Sequence, residues 1–334
     1  MRDTLTRMTP RHLTALLLVL GLVASGCGSA APSASPAGAV CGTAPDAPAA
    51  ATWGGRPDPA PTLTPVLVSN AITCGKARIL FLYLDSANRV ASAPDRSATV
   101  AFYNLGRDPD KAVATVDGEF VWTIQDERGM YVAEVELPEA GVWGAEFTTT
   151  AKDAAGVEAG ESVRMTFSVL DTPTSVGVGQ RAPASKTPTT ADVGGDVTKI
   201  STDTDPNPTF YETSVADALA AKKPFILVFA TPKFCQTAQC GPTLDLFKPL
   251  AAAHPEVTFI NVEPYKLQDV DGQLQPALDA NDQLVAADAT KEWGLRSEPW
   301  IFAVDRDGVV RGSYELTITD AELDTILPVI TAGA

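Results

Sequence analysis

The sequence predicts a multidomain protein in which an all-β sandwich precedes an α/β domain with a central mixed sheet flanked by helices. Its 334 residues are enough for two domains of about 150 residues each. Short runs of β-branched and aromatic residues recur between residues 63 and 170, whereas apolar strands alternate with helical patterns after residue 210. Hydrophobic residues make up 45% of the chain, which allows both domains to bury a core.

The first 26 residues are typical of a secretory signal peptide. Three arginines precede an uncharged apolar run at residues 13–24, which is too short to cross a bilayer of about 30 Å as a helix. Small residues at 24–26 stand directly before Cys27, and this ending resembles the bacterial lipobox. The resemblance implies that Cys27 is lipidated and holds the protein on the extracytoplasmic face of the cell membrane. The alternative is an ordinary cleaved signal with Cys27 incidental.

Composition divides the rest of the chain into segments. Residues 27–62 are rich in Ala, Pro, Gly and Ser, which predicts a disordered tether because little apolar surface is available for burial. Residues 171–209 are again rich in Pro, Thr, Gly and Asp, which indicates a linker between the β-sandwich at 63–170 and the α/β domain at 210–334.

Six strands are expected in the sandwich: Ala77–Leu84, Thr99–Asn104, Phe120–Gln125, Met130–Leu137, Trp143–Thr150 and Ser162–Leu170. The stretch 129–143 resembles the late hairpin of exported immunoglobulin-like modules, which implies an immunoglobulin-like sandwich. Alternation places Tyr131, Ala133 and Val135 on one face of it. Trp122 and Trp143 are expected to be core aromatics rather than ligand-binding residues.

Charge and cysteine content restrict the function classes. Removing residues 1–26 takes away three Arg and one Asp, so the net charge falls from −16 to about −18, which excludes a nucleic-acid partner. With Cys27 assigned to lipid, four cysteines remain, and four allow three disulfide pairings. Proximity favours Cys235–Cys240, which leaves Cys41–Cys74 as a possible structural disulfide.

His254 is the one histidine outside the first 26 residues, so a His/Cys metal site lacks ligands.

The α/β domain begins with a capping box at Ser214 and a short helix, followed by the apolar strand 224–231. Cys235 and Cys240 come next, then a helix over Pro242–Ala253 with Pro249 inside it. A second strand is expected at 256–262, and a hairpin turns at residues 307–308. A final helix is capped by Thr319.

This order of elements over residues 210–330 resembles a thioredoxin-like domain, here with a Cys-x4-Cys variant of its site. The run Trp293-Gly-Leu-Arg-Ser-Glu-Pro299 resembles the family segment that ends in a cis-proline. The resemblance implies catalytic roles for Cys235 and Cys240 and substrate contacts by Phe234, Glu298 and a cis Pro299 facing the cysteines. It implies thiol–disulfide exchange with no cofactor.

The site departs from the family pattern in several respects. A spacing of five on a regular helix separates two residues by about 7.5 Å along the axis, so residues 235–240 should form a non-helical loop. A helix that starts after Cys240 would favour its thiolate, although either thiol could attack. Phe229 stands where the family has a buried acid, and Glu298 would oppose a nearby thiolate. An extra segment at 265–288 is expected to shape or cover the site.

Three functions from different classes remain open. The first is a membrane-anchored thiol–disulfide oxidoreductase whose partners are the thiols or disulfides of exported proteins, or a membrane electron donor. The second is a non-catalytic binding or scaffold lipoprotein with a static disulfide. The third, a minor alternative, is copper handling through the two cysteines and His254.

Overall fold

The computed structural model describes residues 41–55, 60–152 and 158–332, and within them the chain is rich in β-structure, with four sheets and few helices. A four-residue helix, α1, spans Ala50–Trp53. Eight strands follow: β1 (Thr64–Leu67), β2 (Gly75–Leu84), β3 (Ser97–Asn104), β4 (Ala114–Asp117), β5 (Glu119–Ile124), β6 (Arg128–Leu137), β7 (Gly141–Lys152) and β8 (Glu158–Val169).

These eight strands form two antiparallel sheets, with strand orders β1-β2-β6-β5 and β4-β3-β7-β8, around one shared core. The alternation of β6 is as expected, because Tyr131, Ala133 and Val135 all lie in that core. Trp143 is fully buried there, as expected. The expectation for Trp122 is wrong, because Trp122 is only half-buried, lies outside this core and packs edge-on against Phe120. All six strands expected here are present; β1 and β4, of four residues each, were not predicted.

Residues 41–55 differ from the expected tether, because they are ordered against the sandwich. Cys41 and Cys74, the pair left once Cys235 is paired with Cys240, form a disulfide with Cα atoms 6.3 Å apart. The Trp53 indole N–H donates to the carbonyl of Pro109 at 2.7 Å, and the Arg164 guanidinium lies 4.8 Å from the Trp53 ring centroid. The contacts of one aromatic side chain and one disulfide therefore offset the conformational entropy that this segment, otherwise made of small residues, loses when it becomes ordered. The expected signal peptide and Cys27 lie outside the described residues.

The C-terminal region begins with three 3-10 turns, Thr190–Val193, Val197–Lys199 and Pro208–Tyr211. Its helices are α2 (Val215–Ala220), α3 (Cys240–Ala253), α4 (Asp288–Glu292) and α5 (Asp320–Thr331), and its strands are β9 (Phe225–Phe229), β10 (Thr258–Val262), β11 (Leu267–Val270), β12 (Gln273–Pro276), β13 (Trp300–Val304) and β14 (Val310–Glu315).

Four of these strands form a mixed sheet of order β10-β9-β13-β14. β9 pairs parallel with β10 and antiparallel with β13, and β13 pairs antiparallel with β14. Every residue of β9 is buried, as its continuous apolar sequence predicts. Ile226 and Val228 face a core shared with α3 and α5, whereas Phe225, Leu227 and Phe229 face a core shared with α2, α4 and Trp293.

Residues 171–209, expected to be a linker, also pack onto this sheet. Val176 is buried in the core that contains Trp293, and its amide donates to the Trp293 carbonyl at 3.1 Å. The Thr202 hydroxyl and amide both donate to Glu263. Polar residues in this segment are therefore held by specific hydrogen bonds, which composition alone does not reveal.

The C-terminal region docks on the outer face of sheet β1-β2-β6-β5. Leu316, after β14, packs with Leu80, Met130 and Val132 in a small buried cluster. Beside it, Arg78 donates from Nε and Nη2 to the two carboxylate oxygens of Glu322, at 2.6 and 3.0 Å. This interface holds one sheet of the sandwich against the β14–α5 edge. No helix among the described ranges is long and apolar enough to cross a membrane.

Candidate functional site

Cys235 and Cys240 lie between the carboxyl end of β9 and the start of α3. They are joined by a disulfide, and their Cα atoms are 6.0 Å apart. The chain between them is not helical, as the spacing predicts, and it includes Ala238 in the left-handed region at φ 60°. Helix α3 begins at Cys240 itself, two residues before the expected start at Pro242. This non-helical loop allows two cysteines five positions apart to come within bonding distance.

The two sulfurs have different surroundings. Cys240 is fully buried, whereas Cys235 is partly exposed. The Cys240 amide, the first of α3, donates to Cys235 Sγ at 3.2 Å, and the Thr237 hydroxyl lies 3.3 Å from the same sulfur. The helix amide expected to favour a Cys240 thiolate therefore points at Cys235 instead, because the loop folds back over the helix N-terminus.

Glu298 closes one side of the loop. Its peptide bond to Pro299 is cis, as expected, and both residues are buried. The Gln236 amide donates to Glu298 Oε1 at 3.0 Å, and the Thr237 hydroxyl donates to the Glu298 carbonyl at 3.0 Å. The carboxylate thus binds the residue next to Cys235, the inward orientation in which its charge opposes a thiolate.

Tyr265, the first residue of the extra segment, also contacts this carboxylate. Its hydroxyl donates to Glu298 Oε2 at 2.7 Å, and burial together with the Glu298 charge raises the pKa of Tyr265 well above its usual range. The phenol therefore remains a proton donor at neutral pH. Residues 265–288 form the β11–β12 hairpin and a turn, and the Lys233 ammonium donates to the Leu274 carbonyl of that hairpin at 3.2 Å. The segment shapes the site, as expected.

Phe234 occupies the position directly before Cys235. It is half-buried, and the Lys233 ammonium lies 5.4 Å from its ring centroid. An aromatic ring next to a partly exposed sulfur gives the site an apolar surface.

The β-sandwich contributes to the site, which sequence reasoning missed. Arg128 Nη1 donates to the Thr237 carbonyl at 2.9 Å, and the Gln239 side-chain amide donates to the Thr123 carbonyl. The β5–β6 hairpin therefore holds the loop between the two cysteines from the outside. No sequence signal identifies these residues, because the contact depends on how the two parts of the chain dock.

Glu263 is a buried acid that the sequence analysis did not identify. Phe229 is a buried apolar residue of β9, and Glu263 directly follows the neighbouring strand β10. Burial raises the pKa of Glu263 to about 7, although the Thr202 hydroxyl and amide donate to its Oε1. The Thr202 hydroxyl oxygen accepts from the Lys233 amide at 3.3 Å, which links Glu263 to the chain leading into Cys235. An acidic residue directly after an apolar strand was the available signal.

His254 does not approach the cysteines. It follows the last residue of α3, about 20 Å from Cys240 at 1.5 Å per residue, and its Nδ1 lies 3.0 Å from Glu256. Among the described residues no group of three or more His, Cys, Asp or Glu side chains is placed to hold a metal ion.

Comparison with known proteins adds little to this geometry. No family model matches the chain, and no curated protein matches it significantly. Among solved structures, MtrC from Shewanella baltica OS185 is similar over 32% of this chain at 10% identity and a TM-score of 0.23. The matched part spans 22% of that protein, about a fifth of its length.

Proposed function

We propose that this chain is a thioredoxin-like thiol–disulfide oxidoreductase that acts through Cys235 and Cys240. One observation carries the proposal: the pair lies at the junction of a buried parallel strand and a helix N-terminus, with one sulfur accessible and the other buried. Such an asymmetric pair suits exchange, because a substrate can reach Cys235 while Cys240 serves as the internal partner. The sheet order β10-β9-β13-β14, with α3 and α5 on one face, supports the thioredoxin-like assignment.

The proposed reaction starts from the disulfide form. A substrate thiolate attacks Cys235 Sγ, the Cys235–Cys240 bond breaks, and Cys240 leaves as a thiolate at the start of α3. A second substrate thiolate then attacks the substrate sulfur of the mixed disulfide, which releases Cys235 as a thiolate. The substrate loses two electrons and the cysteine pair gains them. The same steps in reverse reduce a substrate disulfide.

Donors around Cys235 support its role as the reacting sulfur. The Cys240 amide already points at Cys235 Sγ, and Thr237 is within reach of it, so a thiolate there would gain a helix-terminal hydrogen bond. Glu298 acts in the opposite direction, because its negative charge disfavours a thiolate. We infer that these opposing effects stabilise the Cys235 thiolate only moderately.

Location and partners belong to the same proposal. The signal-like N-terminus and Cys27 suggest a lipid-anchored protein on the extracytoplasmic face of the membrane. Its partners would be exported proteins with thiols or disulfides, or a membrane electron donor. The immunoglobulin-like sandwich would help to position the exchange site, because its residue Arg128 binds the loop between the two cysteines.

Single cysteine substitutions test the proposal. Each of Cys240→Ser and Cys235→Ser is incubated with glutathione disulfide, and the mixed disulfide is followed by intact-protein mass. Cys240→Ser should react at least about tenfold faster than Cys235→Ser, because it retains the accessible sulfur. The matched control, Cys41→Ser combined with Cys74→Ser, should leave exchange at Cys235–Cys240 unchanged. Equal rates for the two single variants, or no adduct on either, would contradict the proposed roles.

A static disulfide in a binding lipoprotein is the second candidate. The complete burial of Cys240 and the contacts of Arg128 and Gln239 with the loop favour it. The double variant Cys235→Ser/Cys240→Ser separates the two functions. A folded but inactive double variant supports exchange, whereas collapse of the fold indicates a structural bond.

A further inference from the structure

A cavity of about 370 Å³ lies next to the candidate site and shares Tyr265 with it. This volume is within the usual range for small-molecule sites, roughly 300–1,000 Å³. Apolar side chains from several segments form part of its wall, among them Pro188, Ile200, Val262, Leu267 and Ala289. Such a wall suits an aliphatic group of modest size.

The buried part of the cavity carries two acceptors without partners. Glu263 is 7% exposed and Asn261 is 2% exposed. Within the described chain, Glu263 Oε2 and Asn261 Oδ1 have no hydrogen-bond partner, and Glu263 forms no ion pair. Unpaired buried acceptors are costly, and burial without a cation raises the pKa of Glu263 to about 7 because it disfavours the ionised carboxylate. A ligand ammonium would offset this cost, because it supplies a positive charge and three N–H donors.

The mouth of the cavity has the opposite charge. Three exposed lysines, Lys186, Lys199 and Lys266, line it together with one exposed acid, Asp288. Lys266 pairs with Asp288 at 2.9 Å and Lys199 with Asp196 at 3.9 Å, whereas Lys186 makes no ion pair within the described ranges. At least one ammonium group is therefore free to bind a carboxylate at the entrance.

We propose that this cavity binds a free α-amino acid with an aliphatic side chain. The ligand ammonium bonds Glu263 and Asn261, its carboxylate lies against Lys186, and its side chain packs on the apolar wall. The two ends of the cavity decide the class. The unpartnered acceptors at depth suit an ammonium and the lysines at the mouth suit a carboxylate, which fits a zwitterion and disfavours a simple amine or a simple acid. The inference goes beyond thiol–disulfide exchange and does not depend on it.

Calorimetric titration of the wild-type protein, with its disulfides intact, tests this inference. The probe is L-leucine, compared with 3-methylbutylamine, which lacks the carboxylate, and 4-methylpentanoate, which lacks the ammonium. L-Leucine should bind with a dissociation constant below about 1 mM, and each analogue should bind at least about tenfold more weakly. No heat with L-leucine up to about 10 mM, or equal affinity for the amine, would overturn the proposal.

Two variants locate the ligand groups. Glu263→Gln should weaken L-leucine binding at least about tenfold, because the ammonium loses its charged partner. Lys186→Met changes an exposed residue and should leave the fold intact while weakening L-leucine but not 3-methylbutylamine. The matched control is Glu256→Gln, an exposed acid two residues before β10 and away from the cavity lining, which should bind as wild type does. L-Leucine binding unchanged in Lys186→Met and Glu263→Gln would overturn the assignment.

Discussion

The ion pair between Arg78 and Glu322 should stabilise the docking of the sandwich on the C-terminal region. It joins β2 to α5 through two charge-assisted hydrogen bonds, and the side chains are only 14% and 17% exposed. Truncating one member of a fully buried pair costs about 3–5 kcal/mol, and an exposed pair contributes about 0.2–1 kcal/mol. We expect Arg78→Met to lower the free energy of unfolding by about 2–3 kcal/mol, because Glu322 still accepts from the Thr319 amide at 2.8 Å.

Urea unfolding of the purified variants measures this loss, and a double-mutant cycle isolates the pair. Glu322→Gln is the second variant, because Gln retains the capping box at Thr319. The coupling energy between positions 78 and 322 should be about 1–2 kcal/mol. Lys76→Met is the matched control on the same strand: the Lys76–Glu134 pair is 74% and 56% exposed and should contribute less than about 1 kcal/mol. A coupling energy below about 0.5 kcal/mol, or an equal loss in Lys76→Met, would refute this reasoning.

Three further predictions concern stability. The pKa of Glu263 is about 7 in the folded protein and 4.5 ordinarily, so the folded state binds this proton more tightly than the unfolded state does. The free energy of unfolding of the wild type should therefore fall by roughly 3 kcal/mol as pH rises from about 4.5 to about 7. Glu263→Gln should flatten this part of the pH profile in urea titrations; parallel profiles would contradict the assignment. Lys222→Gly should raise the unfolding free energy by about 0.5–1 kcal/mol, because Lys222 sits at φ 52° just after α2; a lower midpoint in chemical denaturation would count against this. Leu316→Ala should cost about 2–3 kcal/mol, since Leu316 is 6% exposed in the docking cluster; a thermal midpoint unchanged from wild type would show that the cluster contributes little.

Local sequence patterns were sufficient for most of the framework. The continuous apolar run of β9, the alternation of β6 and the capping box of α5 each encode a strand or helix within a few residues. Spacing alone also predicted that residues 235–240 are not helical, because two cysteines five positions apart on a regular helix are too far from each other to form a disulfide. These features depend on neighbours in sequence, which is why they could be read directly.

The features that the sequence did not reveal depend on tertiary contacts. The sequence predicted a tether at residues 41–55 because this segment is held by one tryptophan and one disulfide, and neither gives a periodic hydrophobic pattern. The contact of Arg128 with the cysteine loop arises only when the sandwich docks. The direction of the Cys240 amide, which was expected to favour a Cys240 thiolate but points at Cys235, has the same origin, because it depends on how the loop folds.

The reduction potential of the Cys235–Cys240 pair tests the central claim most directly. The purified protein is equilibrated in graded thiol–disulfide buffers and trapped with an alkylating mass tag, and the mass shift of the peptide that contains both cysteines is read. An exchange centre predicts a potential between about −120 and −270 mV, the range of known exchange catalysts. A potential below about −300 mV, or two thiols that never pair, would contradict thiol–disulfide exchange and indicate a static bond in a binding protein.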